Sequence, residues 1–196
     1  MAHFITFANT KGGAAKTTSA LMFAGILTAR GEKVEVRDTD PSGGATDWKK
    51  MAQKNGTPLP FLVHSANMKE VDEPPVSDAD WVLIDTPPLQ AEIIQAAISA
   101  ADLVIITTQP SKLDVTRALE TAEAVDKPMT VLVTRVDDRT VEWRQCEKRI
   151  KEAGLSRLDS YIKARESIKR AIGTNAIPAD SGYKEAVDEV MAAFRQ

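Results

Sequence analysis

Cysteine is almost absent from the 196-residue chain: Cys146 stands alone. A single thiol excludes an intramolecular disulfide framework and any cysteine-built zinc or iron–sulfur site within one chain. No apolar run approaches the roughly eighteen residues that a bilayer crossing needs; blocks such as Leu103-Val104-Ile105-Ile106 are short. Internal repeats and low-complexity tracts are missing too, and no secretory signal precedes Lys11, where the first working motif begins. A reducing cytoplasm is the expected compartment. What is present reads as soluble and globular, with 43% hydrophobic and 27% charged residues. The length suggests one domain over residues 1–196. Net charge is −3 but unevenly spread, −6 over residues 1–126 and +3 over residues 127–196. A basic C-terminal third can present a local face to nucleic acid even when the total is acidic.

Short apolar runs alternate with helical stretches, the pattern of repeated βαβ units. The runs predict strands at His3–Ala8, Lys33–Asp38, Phe61–His64, Trp81–Asp85, Leu103–Thr107 and Thr130–Thr134. Helices are predicted at Thr17–Arg30, Ala45–Asn55, Ala91–Ala100, Val115–Val125 and Val141–Ala153. Nearly continuous apolar strands imply helices on both faces of the sheet. The fold class is therefore α/β: a doubly wound, mostly parallel sheet flanked by helices. Past residue 154 the pattern predicts a short strand near Arg157–Ile162, a helix at Glu166–Ile172 and a last helix at Lys184–Phe194. In that helix Ala186, Val187, Val190, Met191 and Phe194 form one apolar stripe that reads as core-facing, since Asp188 and Glu189 on the outer face would be repelled by anionic lipid.

The first strand runs into Asn9-Thr10-Lys11-Gly12-Gly13-Ala14-Ala15-Lys16-Thr17-Thr18 and then a helix. A strand, a small-residue loop and a helix N-terminus make a phosphate cradle, with backbone N–H groups and the helix dipole turned to the anion. Gly12 and Gly13 allow close approach and positive φ. Lys16 would reach the β- and γ-phosphates, and the Thr17 hydroxyl would ligate Mg²⁺. Thr10 and Ala15 stand where the ordinary GxxxxGK[ST] pattern has glycines. The second strand ends in Asp38-Thr39-Asp40-Pro41, two carboxylates that would project to one side. At the C-terminal edge of a parallel sheet they would face the nucleotide crevice. The fourth strand ends in Asp85, in a carboxylate position that suits a magnesium-bound water.

The segment Lys11-Gly12-Gly13-Ala14-Ala15-Lys16-Thr17-Thr18 resembles the deviant Walker A signature of the ParA/MinD ATPases. Asp38-Thr39-Asp40-Pro41 and Asp85-Thr86-Pro87 are similar to that family's next two motifs. Gln109-Pro110-Ser111-Lys112-Leu113-Asp114 and residues 162–171 resemble stretches of the small ParF-type ParA proteins. The resemblance implies a P-loop NTPase of the deviant Walker type with ATP and Mg²⁺ as ligands. It places residues 11–18 around the phosphates, with Thr17, Asp38 and Asp85 serving the metal and Asp40 positioning the attacking water. Thr134 and Arg135 fall where the family contacts adenine. Lys11, Lys16 and Asp40 are the implied catalytic groups, with Lys11 crossing a two-fold interface to the nucleotide of a second subunit.

Neighbouring functions on this fold fit less well. A nitrogenase-type iron protein needs paired cysteines, a tyrosine-kinase relative a tyrosine cluster, and a MinD-type protein a basic amphipathic terminus. Amidoligases such as dethiobiotin synthetase lack the early lysine. What remains is a ParA-type ATPase; the resemblance implies that it forms an ATP-dependent homodimer, binds DNA non-specifically on the nucleoid and partitions a plasmid or chromosome. Its implied partner is a centromere-binding protein, ParB-like or ribbon-helix-helix, and no membrane is implied. Two alternatives stay open: positioning of a protein cargo on the nucleoid, and a metabolic phosphotransferase. Candidate DNA contacts are Arg144, Lys148 and Lys151 on one helix side, with Arg165, Lys169, Arg170 and Lys184 as a second group. Glu147 and Glu152 are interspersed, so a solvated charged face is the competing reading.

Overall fold

Six strands, His3–Ala8 (β1), Val34–Asp38 (β2), Leu62–Ser65 (β3), Trp81–Asp85 (β4), Leu103–Thr108 (β5) and Met129–Val133 (β6), form one sheet. Their order is β3-β2-β4-β1-β5-β6, and every neighbouring pair is parallel. The structure, a computed structural model, describes residues 2–76 and 78–195. Helices follow at Lys16–Ala29 (α1), Gly44–Lys54 (α2), Ala91–Ala100 (α3), Lys112–Glu123 (α4), Val141–Glu152 (α5), Glu166–Ala171 (α6) and Tyr183–Phe194 (α7). Strand alternation sorts the core into two halves. Ile5, Phe7, Leu83, Ile105 and Leu132 pack beneath α1, α2 and α7. Ala8, Val82, Val104, Ile106, Val131 and Val133 pack on the opposite face, beneath α3, α4 and α5. The apolar stripe of α7 is core: Ala186, Val187, Val190 and Met191 are buried. The Phe194 ring lies 4.7 Å from His3 and 5.1 Å from Trp81.

Two departures from the sequence reading matter. The strand expected near Arg157–Ile162 does not form. That segment is a strap along β6, joined by one bridge at Val131–Arg157 and by amide bonds from Leu158 to Val131 O and from Ile162 to Val133 O. Between those bonds the amides of Asp159 and Ser160 turn away to the Glu189 carboxylate on α7, each at 2.7 Å, so a regular ladder cannot continue.

The second departure lies on β2, where all five residues are buried, Glu35 and Arg37 included. No helix covers β2 and β3 on the Glu35–Arg37 side among the described residues; the segment 66–76 does. Arg37 Nε donates to Glu35 at 2.9 Å, and its terminal nitrogens donate to the carbonyls of Glu70, Val71 and Pro74. The guanidinium also lies over the Phe4 ring at 5.4 Å. A buried arginine fastens this loop where other strands have a helix.

Candidate nucleotide site

The loop after β1 sits where the chain reverses direction across the sheet, since β1 lies between β4 and β5 while its own crossover leads to β2. That is the place where open α/β sheets hold ligands. Asn9 organises the loop: its amide donates to Thr107 O at 2.7 Å and its carbonyl accepts from the Lys11 amide at 2.8 Å. Gln109 Nε2 donates to Gly13 O at 2.9 Å from the β5 side. Gly13 has φ +77°, and Gly12 does not need a positive φ; the second left-handed position is Ala15, at φ 68°. An alanine held there costs on the order of 1 kcal/mol, a strain placed directly before the first turn of α1. Lys16 is buried and its ammonium donates to Lys11 O at 3.2 Å, while Ala14 is buried in the same loop. Burial pushes the Lys16 pKa below its ordinary value, opposed by the charges of Asp85 and Asp40.

Asp85 ends β4 wholly buried, its backbone carbonyl accepting from both the amide and the hydroxyl of Thr39. Neither carboxylate oxygen has a hydrogen-bond partner at standard geometry among the described residues. Burial raises its pKa from 3.8 to about 7; the nearby Thr17 hydroxyl and Lys16 lower it, Asp38 and Asp40 raise it further. An orphaned buried carboxylate beside a hydroxyl is a hard-oxygen donor set and fits magnesium. The described residues contain no cluster of three or more His, Cys, Asp or Glu that could hold a metal. A cation that takes most of its ligands from phosphates and water needs none.

Asp38 and Asp40 do not project together from a strand. β2 stops at Asp38, whose carboxylate accepts from the amides of Thr46, at 2.8 Å, and Asp40, at 3.3 Å. Asp38 therefore shapes the turn into α2, and Asp40 sits beyond it in a loop, its carboxylate accepting from the Ser42 amide at 2.8 Å. Both still act electrostatically on Asp85.

Lys11 forms an ion pair within its own chain, to Asp114 on the first turn of α4. Asp114 is buried and doubly held by Ser111, whose hydroxyl donates to its carboxylate at 2.7 Å and accepts from its amide at 3.2 Å. Sequence reasoning matched this segment without giving Asp114 a role. The Ser-x-x-Asp spacing of a capping box was the visible signal, but its ion partner lies 103 residues away.

Beside the loop a cavity of about 540 Å³ is lined by Ala15 and Thr18, by Thr134 and Arg135, by residues 162–166, by Ile168, Lys169 and Ile172 of α6 and its end, and by Tyr183. The two positions singled out for the base, Thr134 and Arg135, thus face it together. Arg135 has φ 54°, a left-handed conformation uncommon outside glycine. The basic residues separate. Arg144, Lys148 and Lys151 lie on α5, beneath which Trp143, Cys146 and Ile150 pack, whereas α6 and α7 cover the opposite face of the sheet. Lys148, Arg165 and Lys169 are paired with Glu152, Asp180 and Glu166. Arg144, Lys151, Arg170 and Lys184 make no ion pair among the described residues. Arg165 and Lys169 also line the cavity.

Residues 5–179 match the family model described as the CobQ/CobB/MinD/ParA nucleotide binding domain. The chain is 30% identical over 206 positions to "Maintenance of carboxysome distribution protein A" of Gloeobacter kilaueensis, covering 96% of this chain and 94% of that protein. Among solved structures, an ATP complex of Cyanothece McdA superposes with a TM-score of 0.79 at 18% identity, covering 97% of this chain and 96% of that one. Cobyrinic acid a,c-diamide synthase from Mycobacterium smegmatis, with bound ADP and magnesium, superposes with a TM-score of 0.76 at 20% identity over 100% of this chain and 96% of that one. The cradle, the three carboxylates and the match over most of the chain agree: the protein belongs to the ParA/MinD-type nucleotide-binding family.

Proposed function

We propose that this chain hydrolyses ATP to ADP and phosphate with Mg²⁺ and uses the cycle to position a cargo on the nucleoid. The observation that carries the ATPase reading is the unpartnered, buried carboxylate of Asp85 beside Thr17 and Lys16. Loop N–H groups from Gly12 to Thr18, with Lys16, bind the phosphates. Thr17 and Asp85 would hold the magnesium, and Asp38 fixes the loop that carries Asp40. Bound there, the magnesium would supply positive charge against the charge that develops on the phosphates. Asp40 orients the attacking water, and the cavity by Thr134 and Arg135 takes the base. Lys11 leaves Asp114 to meet the nucleotide of a second copy, which makes the dimer depend on ATP. Asp40→Ala should keep ATP binding and stop turnover; wild-type hydrolysis in that variant would remove Asp40 from the mechanism.

A protein assembly is the favoured cargo, because the relative from Gloeobacter kilaueensis is described by carboxysome distribution and matches nearly the whole chain. Plasmid or chromosome partition through a ParB-like or ribbon-helix-helix partner is the second reading, supported by the ParA-like motifs. ATPase assays with DNA and candidate partner proteins test both. Stimulation by DNA plus a partner supports a positioning cycle, and turnover that needs a small-molecule acceptor instead would favour a phosphotransferase.

The DNA face is best tested on α5, because reversing Arg165 or Lys169 would also disturb the cavity they line. Changing Arg144, Lys148 and Lys151 together to Glu should weaken binding to unrelated duplexes alike, by about tenfold or more at low salt. ATP affinity should stay unchanged. Unaltered DNA binding in a filter or anisotropy assay would remove α5 from the interface.

A further inference from the structure

The walls of the 540 Å³ cavity come from distant parts of the chain. Ala15 and Thr18 belong to the phosphate loop and the start of α1. The facing wall is the end of the strap and α6. Nothing in the loop itself sets the gap between them.

The strap wall is fastened to the start of α7. The Lys163 amide donates to Ser181 O at 3.0 Å. Gly182, at φ +93°, passes so close that a Cβ built on it would lie 2.1 Å from Tyr161 O. A side chain there would push α7 and the strap apart, so glycine lets the two pack this closely. The next residue, Tyr183, is buried with its ring edge-on to Phe23 at 6.4 Å. Its hydroxyl meets Ser19 Oγ at 3.2 Å, one turn into α1 from the loop. Burial pushes the phenol up to about 12, so it stays neutral over the working pH range. At the cavity end, one buried hydrogen bond thus connects α7, against which the strap packs, to the helix that carries the phosphate loop; at the far end of that helix Arg30 reaches Lys184 O and Asp188.

We propose that Tyr183 is a positioning residue: with Ser19 it forms a strut that sets the distance between the phosphate subsite and the base subsite. The inference rests on the ATP reading of the cavity. A ligand that spans both walls feels the strut, because a preset gap spares the ordering cost on binding. A ligand that engages only the phosphate loop does not. The strut therefore selects for a triphosphate joined to a base over a bare triphosphate.

Calorimetric titration of wild type, Tyr183→Phe, Ser19→Ala and the double variant with magnesium ATP and with magnesium tripolyphosphate separates the cases. Each single variant should bind ATP about three- to tenfold more weakly, the scale of one buried hydrogen bond. The double variant should be no worse than either single one, because both remove the same contact. Tripolyphosphate affinity should stay within about twofold of wild type throughout. Equal losses for both ligands, additive losses, or unchanged ATP affinity would overturn the strut. A wild-type protein that fails to bind ATP would instead overturn the nucleotide reading itself. Ser19→Ala keeps the test open if the phenylalanine variant folds poorly.

Discussion

Replacing Asp85 by asparagine is expected to raise the melting temperature of the nucleotide-free protein at pH 8 and to abolish magnesium-dependent ATP hydrolysis. In the unfolded chain this carboxyl ionises near 3.8, whereas in the folded protein burial holds it at about 7. Between those values the folded state keeps a proton that the unfolded state gives up. Stability therefore falls as pH rises from about 4 to about 7 and is level above that. The full cost is on the order of 4 kcal/mol. An asparagine never ionises, but its buried amide is left unpaired and returns part of the gain. A net stabilisation of about 1–3 kcal/mol remains at pH 8, which is several degrees for a chain of this length. The gain should be smaller by about 2.5 kcal/mol at pH 5, where less of the penalty is present, so that it vanishes or reverses there. Thermal scans of both proteins at the two pH values check this, and a gain that ignores pH would show that Asp85 is an ordinary acid. The same proton competes with magnesium, so metal affinity of the wild type should rise as pH passes about 7.

Lys11→Ala should lose ATP-dependent dimerisation while keeping ATP affinity and thermal stability close to wild type. On the proposed ATP reading the phosphates of its own chain would be served by Lys16 and the loop amides, so removing Lys11 would leave that cradle intact. The ion pair with Asp114 contributes at most about 1 kcal/mol to folding, because the lysine is more than a third exposed and solvent screens it. Asp114 also keeps both of its Ser111 bonds in the variant. In the proposed ATP dimer the lysine would stand where two triphosphates meet face to face: a cation between them would offset their repulsion and stabilise charge in phosphoryl transfer. γ-Phosphate then supplies a contact that ADP lacks. Sedimentation with ATP and magnesium is decisive, since a dimer fraction equal to wild type would mean that Lys11 serves only its own chain. DNA binding and hydrolysis should fall together with the dimer.

The parts of the fold that were legible in the sequence are those with unbroken patterns. Trp81–Asp85 is apolar throughout and ends in its one carboxylate, so both the strand and Asp85 could be read. Lys16, Thr17 and the glycines stood out as candidates because phosphate binding needs those residue types within one short loop. Contacts between distant segments were not legible. The charged pair Glu35 and Arg37 gives no hint that a loop around residues 70–74 will cover it. The strap was read as a strand because nothing local shows that Glu189 will take the amides of Asp159 and Ser160. Asp40 was expected to project beside Asp38 because strand alternation was carried two residues past the strand's end, beyond the point where Asp38 turns the backbone.

Cys146 gives the protein an internal clock. Burial, helped by the charge of Glu147, pushes its thiol up to about 11, and the side chain is sealed beneath α5. The thiolate is the species that alkylates, so the folded protein should be almost inert to maleimides and iodoacetamide at neutral pH. The unfolded chain should react readily, and no second thiol confuses the readout. The alkylation rate of the native protein therefore counts the openings of one helix, in the way that exchange of a single protected amide would. Duplex DNA laid across α5 would slow that clock, and DNA bound on the opposite face would leave it running at the same rate.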